Sequence, residues 1–320
     1  MTESGGDATA DAPSDEGTPL TPERVRLGWI LLAAVTVGWG LNWPAMKISL
    51  NEIEPWTFRA LVTPVSALIL LSLARASGVS LHVPRQQWPV LIAVSLLNIT
   101  GWQILAAYGI SQMPAGRSMV IAYTMPVWAS IFGVVFLAET MTRGRIAALV
   151  LGMSGIGILL VEETEALAGA PWGALCTLGA AVSWAGGLIC LKKVTWRVAT
   201  LPLAGWQLLI GGLPYLGGAF IFEKPNLDGV STAAFVAIAF TIIWPICFNH
   251  WAFFKVVTFF PASVCAVGTM LAPVIGVFAA GYGLGEGVGW PEIAALVLVC
   301  AALACELKPS FGRRKRGPSP

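Results

Sequence analysis

Long apolar runs, separated by short polar segments, occupy the chain from residue 28 to residue 306. Ten can be drawn, at 28–47, 56–75, 88–108, 114–138, 144–161, 171–191, 202–222, 232–254, 260–282 and 289–306. Most approach or exceed the ~20 mainly apolar residues that a helix needs to cross a hydrocarbon core. They lack the strict alternation of barrel strands and are about twice as long. The pattern predicts an all-α integral membrane protein of ten transmembrane helices, with no sizeable soluble domain between them. Composition agrees: 56% of the 320 residues are hydrophobic and 11% are charged, against roughly 25% charged in soluble domains. So few charges cannot clothe a globule of this size, which leaves a bilayer as the solvent.

One signature occurs twice. It runs from Pro114-Ala115 through Pro126-Val127 to Glu139, and again from Pro261-Ala262 through Pro273-Val274 to Glu286, with an offset of 147 residues throughout. Trp39 and Trp184, like Lys47 and Lys192, stand 145 residues apart. Each half holds five runs, an odd number, so the second half must enter the membrane from the opposite side. Inverted hydrophobic repeats of this kind mark transporters that alternate between two faces. The expected organisation is a disordered cytoplasmic tail (1–27), a first five-helix repeat (28–161), an external linker (162–170), a second five-helix repeat (171–306) and a basic cytoplasmic tail (307–320).

Charge sets the expected orientation. With the N-terminus inside, Arg24, Arg26, Arg75, Arg85, Arg143, Arg145, Lys192, Lys193, Arg197, Lys255 and the cations from Lys308 onward all face the cytoplasm, while Glu52, Glu54, Glu162, Glu163, Glu165, Glu223 and Asp228 face outward. An even number of spans then returns the C-terminus to the cytoplasm, in a multi-pass protein of the cell inner (plasma) membrane. The acidic N-terminal segment lacks an apolar core and does not read as a signal peptide. All six cysteines fall in or at the ends of spans without metal-ligand spacing, so packing roles are expected, with neither metal nor cofactor.

These residues resemble the drug/metabolite transporter superfamily, in its ten-helix EamA type. The resemblance rests on Trp39-Gly40-Leu41-Asn42-Trp43 in the first run, Arg59 in the second, and the paired Pro126/Glu139 and Pro273/Glu286. It covers about residues 28–306. Arg117 stands where a small or apolar residue is usual, and Trp184-Ala185-Gly186-Gly187 erodes the opening motif in the second half. The resemblance implies alternating access around a central cavity and the export of small metabolites such as amino acids or amphipathic drug-like compounds.

Candidate cavity residues are Asn42, Trp43, Arg59, Asn98, Trp102, Tyr123, Trp184, Gln207, Asn249 and His250. Polar amides and arginines within spans either pack against neighbouring helices or meet cargo; for Arg59 and Arg117 the alternative to meeting an anionic group is an outer-rim ion pair with Glu52 or Glu54, or snorkelling. Pro126 and Pro273 lack a backbone donor and are expected kink and gating points. His250 could carry a coupling proton or serve as a hydrogen-bonded structural group. Glycines at 152, 155 and 157 and at 211, 212, 217 and 218 suggest packing seams, within one chain or in a homodimer. Few charges beside many aromatics suit an amphipathic or aromatic small molecule and suit a polyphosphate or nucleotide sugar poorly, since those need clustered cations; no nucleic-acid partner is expected. Two other classes compete: an intramembrane serine protease built on Gly152-Met153-Ser154-Gly155 with His250 as base, and a passive channel, although no filter-like ring is visible.

Overall fold

The computed structural model describes residues 21–138, 143–166, 172–260, 265, 269 and 271–312, and every regular element among them is helical. The first half holds α1 (Pro22–Leu50), α2 (Pro55–Ala76), α3 (Trp88–Ser95), α4 (Trp102–Gln112), α5 (Ala115–Ala122), α6 (Met125–Leu137) and α7 (Arg143–Ala166). The second holds α8 (Trp172–Lys192), α9 (Thr200–Phe222), α10 (Thr232–Thr241), α11 (Asn249–Phe259), α12 (Leu271–Leu284) and α13 (Trp290–Gly312). Among the described residues, seven helical stretches are long and apolar enough to cross a membrane: Pro22–Leu50, Pro55–Ala76, Arg85–Gln112, Ala115–Leu137, Trp172–Lys192, Thr200–Phe222 and Thr232–Phe253. Leu271–Leu284 and Trp290–Ala302 are shorter apolar helices. Glu139 and Pro261-Ala262, three residues of the duplicated signature, lie outside the described residues.

Local chemistry starts the helices. Pro22 and Pro55 open α1 and α2, where a missing N–H is harmless. Thr21 Oγ1 accepts the Arg24 N–H at 3.3 Å and Ser231 Oγ accepts the Ala234 N–H at 3.2 Å, each an N-cap. The fourth apolar run breaks between α5 and α6, with Pro126 in the first turn of α6, as its missing donor predicts. For Pro273, three residues into α12, the residues at 266–268 and 270 lie outside the described set.

Two π-helical segments, Leu96–Gly101 and Ile242–Phe248, join α3 to α4 and α10 to α11. They begin 146 residues apart, close to the sequence offset. A π turn widens the helix and releases carbonyls from the usual ladder. In the first, Ser183 Oγ donates to Leu97 O at 2.8 Å, and Tyr215 Oη donates to Ile99 O at 2.6 Å.

Helices of the two halves pack against each other: α2 along α9, α7 along α13, α4 against α8, and α1 against α11 and α12. The largest core cluster accordingly mixes Trp43, Phe58, Leu70, Ile110 and Met119 with Leu208, Ile246 and Ala272. Close crossings require glycine. A Cβ on Gly40 would meet Ile275 Cβ at 2.8 Å and Ala272 O at 2.9 Å, and one on Gly218 would collide with the Trp56 ring. A Cβ on Gly157 or Gly217 would meet no atom of another described element within 4 Å, so among the described residues neither is needed for a close crossing. On the outside of the bundle Leu68, Phe220, Val236, Ile243 and Val297 stand exposed. They form an apolar surface of the kind that lipid covers.

Candidate functional site

A cavity of about 560 Å³ lies between the halves, within the range of small-molecule sites. Trp39, Asn42, Trp43 and Met46 form a stripe down α1 at helical spacing. Arg59 comes from α2; Asn98 and Ile99 from the first π segment; and Trp102, Gln103 and Ala106 from α4. Tyr123, Met125 and Pro126 sit at the break before α6. From the second half come Trp184, Gln207, Leu208, Thr241, Pro245, Ile246, His250 and Thr269. Trp43 and Trp102 meet edge to face, centroids 6.4 Å apart.

Nine of the ten sequence candidates therefore share one wall system. Asn249 does not: it is fully buried and its Nδ2 donates to Val35 O at 3.0 Å, joining α11 to α1. Pro273 is buried in α12 and off the cavity wall. His250 Nδ1 lies 2.6 Å from Ile246 O, the geometry of a donated hydrogen bond when that nitrogen carries the proton. Ser154 is exposed on α7, whereas His250 lines the cavity, so the two do not form the dyad a serine protease requires.

Arg59 is 4% exposed. Its Nε donates to Gln103 O at 3.0 Å, its Nη2 approaches Met46 Sδ at 3.7 Å, and its guanidinium carbon stands 5.1 Å from the Phe58 ring centroid. Thr63 Oγ1 donates to Gln103 Oε1 at 2.7 Å and steadies that neighbour. The expected rim pairing with Glu52 or Glu54 is not made. Glu52 instead accepts the Ser231 N–H and Oγ–H, both at 2.6 Å. Asn42 Oδ1, Asn98 Oδ1 and Thr241 Oγ1 are enclosed without hydrogen-bond partners among the described residues.

Polar ties gather at the end of the bundle that carries Leu50 and Pro55. Glu286, from the second copy of the signature, accepts the backbone N–H groups of Ala115 (2.7 Å) and Gly116 (3.1 Å), which open α5 in the first copy. Glu223 does the same for α2, accepting from Trp56 and Thr57 at 2.9 and 2.8 Å. Both carboxylates meet the positive end of a helix dipole. Lys47 Nζ donates to Ile110 O and Met113 O at 2.8 and 3.2 Å, at the negative end of α4. Arg117 Nε donates to Glu292 Oε1 at 2.6 Å, and Glu292 Oε2 accepts the Gly289 N–H at 2.8 Å, half of a capping box. Arg117 is thus engaged in an ion pair. Sequence reasoning passed over Glu292; the available signal was an acid in the first turn of the tenth apolar run, where an intramembrane charge demands a partner.

Ser231 holds the Glu52 carboxyl below the usual carboxylate range through its two hydrogen bonds. A depressed folded pKa stabilises the fold above the ordinary carboxylate value, and that contribution disappears as pH falls through the folded one. Thermal unfolding of wild type and Glu52→Gln should therefore differ at pH 7 and converge in acid, once pH has fallen through the depressed folded value. A gap that persists in acid would contradict the clasp.

Apolar spans, helices only, and a cavity walled by both halves define a multi-pass membrane transporter. The sequence matches the EamA-like transporter family over residues 26–161 and 171–305, and the chain belongs to that family, within the drug/metabolite transporter superfamily. It is 29% identical to the uncharacterized transporter YvbV of Bacillus subtilis over 86% of this chain and 89% of that protein. It is 25% identical to a probable amino-acid metabolite efflux pump of Salmonella typhimurium over 90% of this chain and 96% of that one. A solved crystal structure has a similar fold, with a TM-score of 0.64 at 20% identity, covering 92% of this chain and 99% of the other.

Proposed function

We propose that this protein is a secondary carrier that exports small amphipathic metabolites, amino acids or similar compounds, by alternating access. In this reading ten spans form two inverted five-helix repeats, both termini are cytoplasmic, and the Leu50 end faces outward. The observation that carries it is the cavity itself, which takes walls from both halves beneath a set of ties between them. The pairing pattern supports two equivalent repeats. α2 with α9 and α7 with α13 join equivalent helices, while α4 with α8 mirrors α11 with α1. The paired π segments do so too. Export of amino-acid metabolites is what the Salmonella relative's name describes, and it is extended here by similarity.

The test is counterflow in proteoliposomes. Vesicles preloaded with a candidate amino acid or amphipathic carboxylate should accumulate its labelled form, and initial rates should saturate. Flux that rises linearly with concentration and ignores internal substrate would defeat the carrier and favour a channel.

A further inference from the structure

Resting on that reading of the cavity as a carrier site, but narrowing its cargo away from zwitterionic amino acids, we infer that the preferred cargo is a net monoanion: an aromatic carboxylate whose acid group sits on Arg59 and whose uncharged donor meets Gln207. A guanidinium carries five N–H donors. Those of Arg59 reach Gln103 O and Met46 Sδ, a weak acceptor, and the rest are left for a ligand. Among the described residues no carboxylate pairs with Arg59. No Asp or Glu among them lines the cavity either.

The nearest acids are used elsewhere. Glu52 is on Ser231, Glu223 caps α2, Glu286 caps α5 and Glu292 holds Arg117. A buried cation without a counter-ion is costly, and truncating one of its few contacts would make it worse. A planar carboxylate restores neutrality and matches the fork of the guanidinium in two parallel hydrogen bonds.

The same charge balance disfavours a positive group on the cargo. An ammonium would find only amide oxygens and ring faces, with no anion to balance it. Among the amides that line the cavity, Gln207 is only partly buried, and a phenolic or amide group can donate to its oxygen without adding charge. Trp43 and Trp102, set edge to face, leave flat apolar surface for a ring.

Four probes separate the charge classes on one skeleton: 3-(4-hydroxyphenyl)propanoate, its amide, tyrosine (the zwitterion) and tyramine (the cation). Calorimetric titration of the purified full-length protein at pH 7.5 should rank the acid at least ten-fold above each of the others. In Arg59→Gln and Arg59→Met the acid should fall to the level of the amide, and amide affinity should stay at its wild-type value, which also reports an intact cavity. Should those variants fail to fold, the wild-type ranking still decides. Tyrosine or tyramine binding as tightly as the acid would overturn the proposal. So would no binding of the acid, or an acid preference that survives both substitutions. Acid binding that depends on Arg59, without counterflow of any probe, would instead defeat the carrier reading and leave the anion site standing.

Discussion

Replacing Glu286 by glutamine is expected to release the Leu50 end of the bundle and raise the population open at that end at least ten-fold. The Glu286 carboxylate joins the second half to the first by accepting two backbone N–H groups at the start of α5. A glutamine offers one acceptor oxygen and turns an N–H donor toward the other amide. One charge-assisted hydrogen bond is worth about 1.5–3 kcal/mol, and the charge–dipole attraction at a helix N-terminus about 0.3–1 kcal/mol more. Contacts present in one state and absent in the other set the equilibrium between them. Losing about 2 kcal/mol from the closed state alone corresponds to roughly a thirty-fold shift. With the Leu50 end facing outward, as proposed, the measurement is the labelling rate of Met46→Cys, in a background freed of the six native cysteines, by an impermeant maleimide added from outside. Equal labelling rates with and without the Glu286→Gln substitution would show that the carboxylate does not hold this end closed.

The second large effect is steric. Gly40→Leu should abolish the stable fold, and Gly40→Ala should already lower thermal stability. In an isolated helix alanine is better than glycine by about 1 kcal/mol, so the expected sign is opposite to intrinsic propensity. The reason is the crossing of α1 with α12: the new Cβ meets Ile275 at 2.8 Å and the carbonyl oxygen of Ala272 at 2.9 Å. A backbone oxygen cannot rotate aside, and overpacking of this kind costs about 1–3 kcal/mol or more. Gly157→Ala, where the new Cβ meets no described atom within 4 Å, is the control and should be neutral or mildly stabilising. Thermal unfolding in detergent reads both; a Gly40→Ala protein as stable as wild type would refute the close crossing.

Much of the cavity was legible beforehand. Asn42, Asn98, Trp102, Gln207 and His250 stood out as polar or amphipathic residues inside apolar runs, and such residues turn inward because hydrocarbon offers them no partner. Asn249 marks the limit of that rule. It is as polar as Asn98, yet it faces a backbone carbonyl of α1 and not the cavity, because one step along a helix turns a side chain by about 100°. Met46 and Thr241 line the cavity without any distinguishing sequence signal. The π segments were not legible either, since the run around Leu96–Gly101 reads as ordinary helix and only Pro245 in the other marks an irregularity.

What the sequence by itself determined is the class and the expectation of a duplicated plan. Water-free hydrocarbon compels each apolar run to satisfy its own backbone hydrogen bonds as helix, and an offset of 147 residues between matching prolines is read by counting. Only the tertiary structure decided which partner each charge keeps. Glu286 on Ala115, Glu223 on Thr57 and Arg117 on Glu292 are each joined across more than a hundred residues of chain. Such pairs depend on which helix ends meet, and that is set by the packing of whole helices, to which no local pattern gives access.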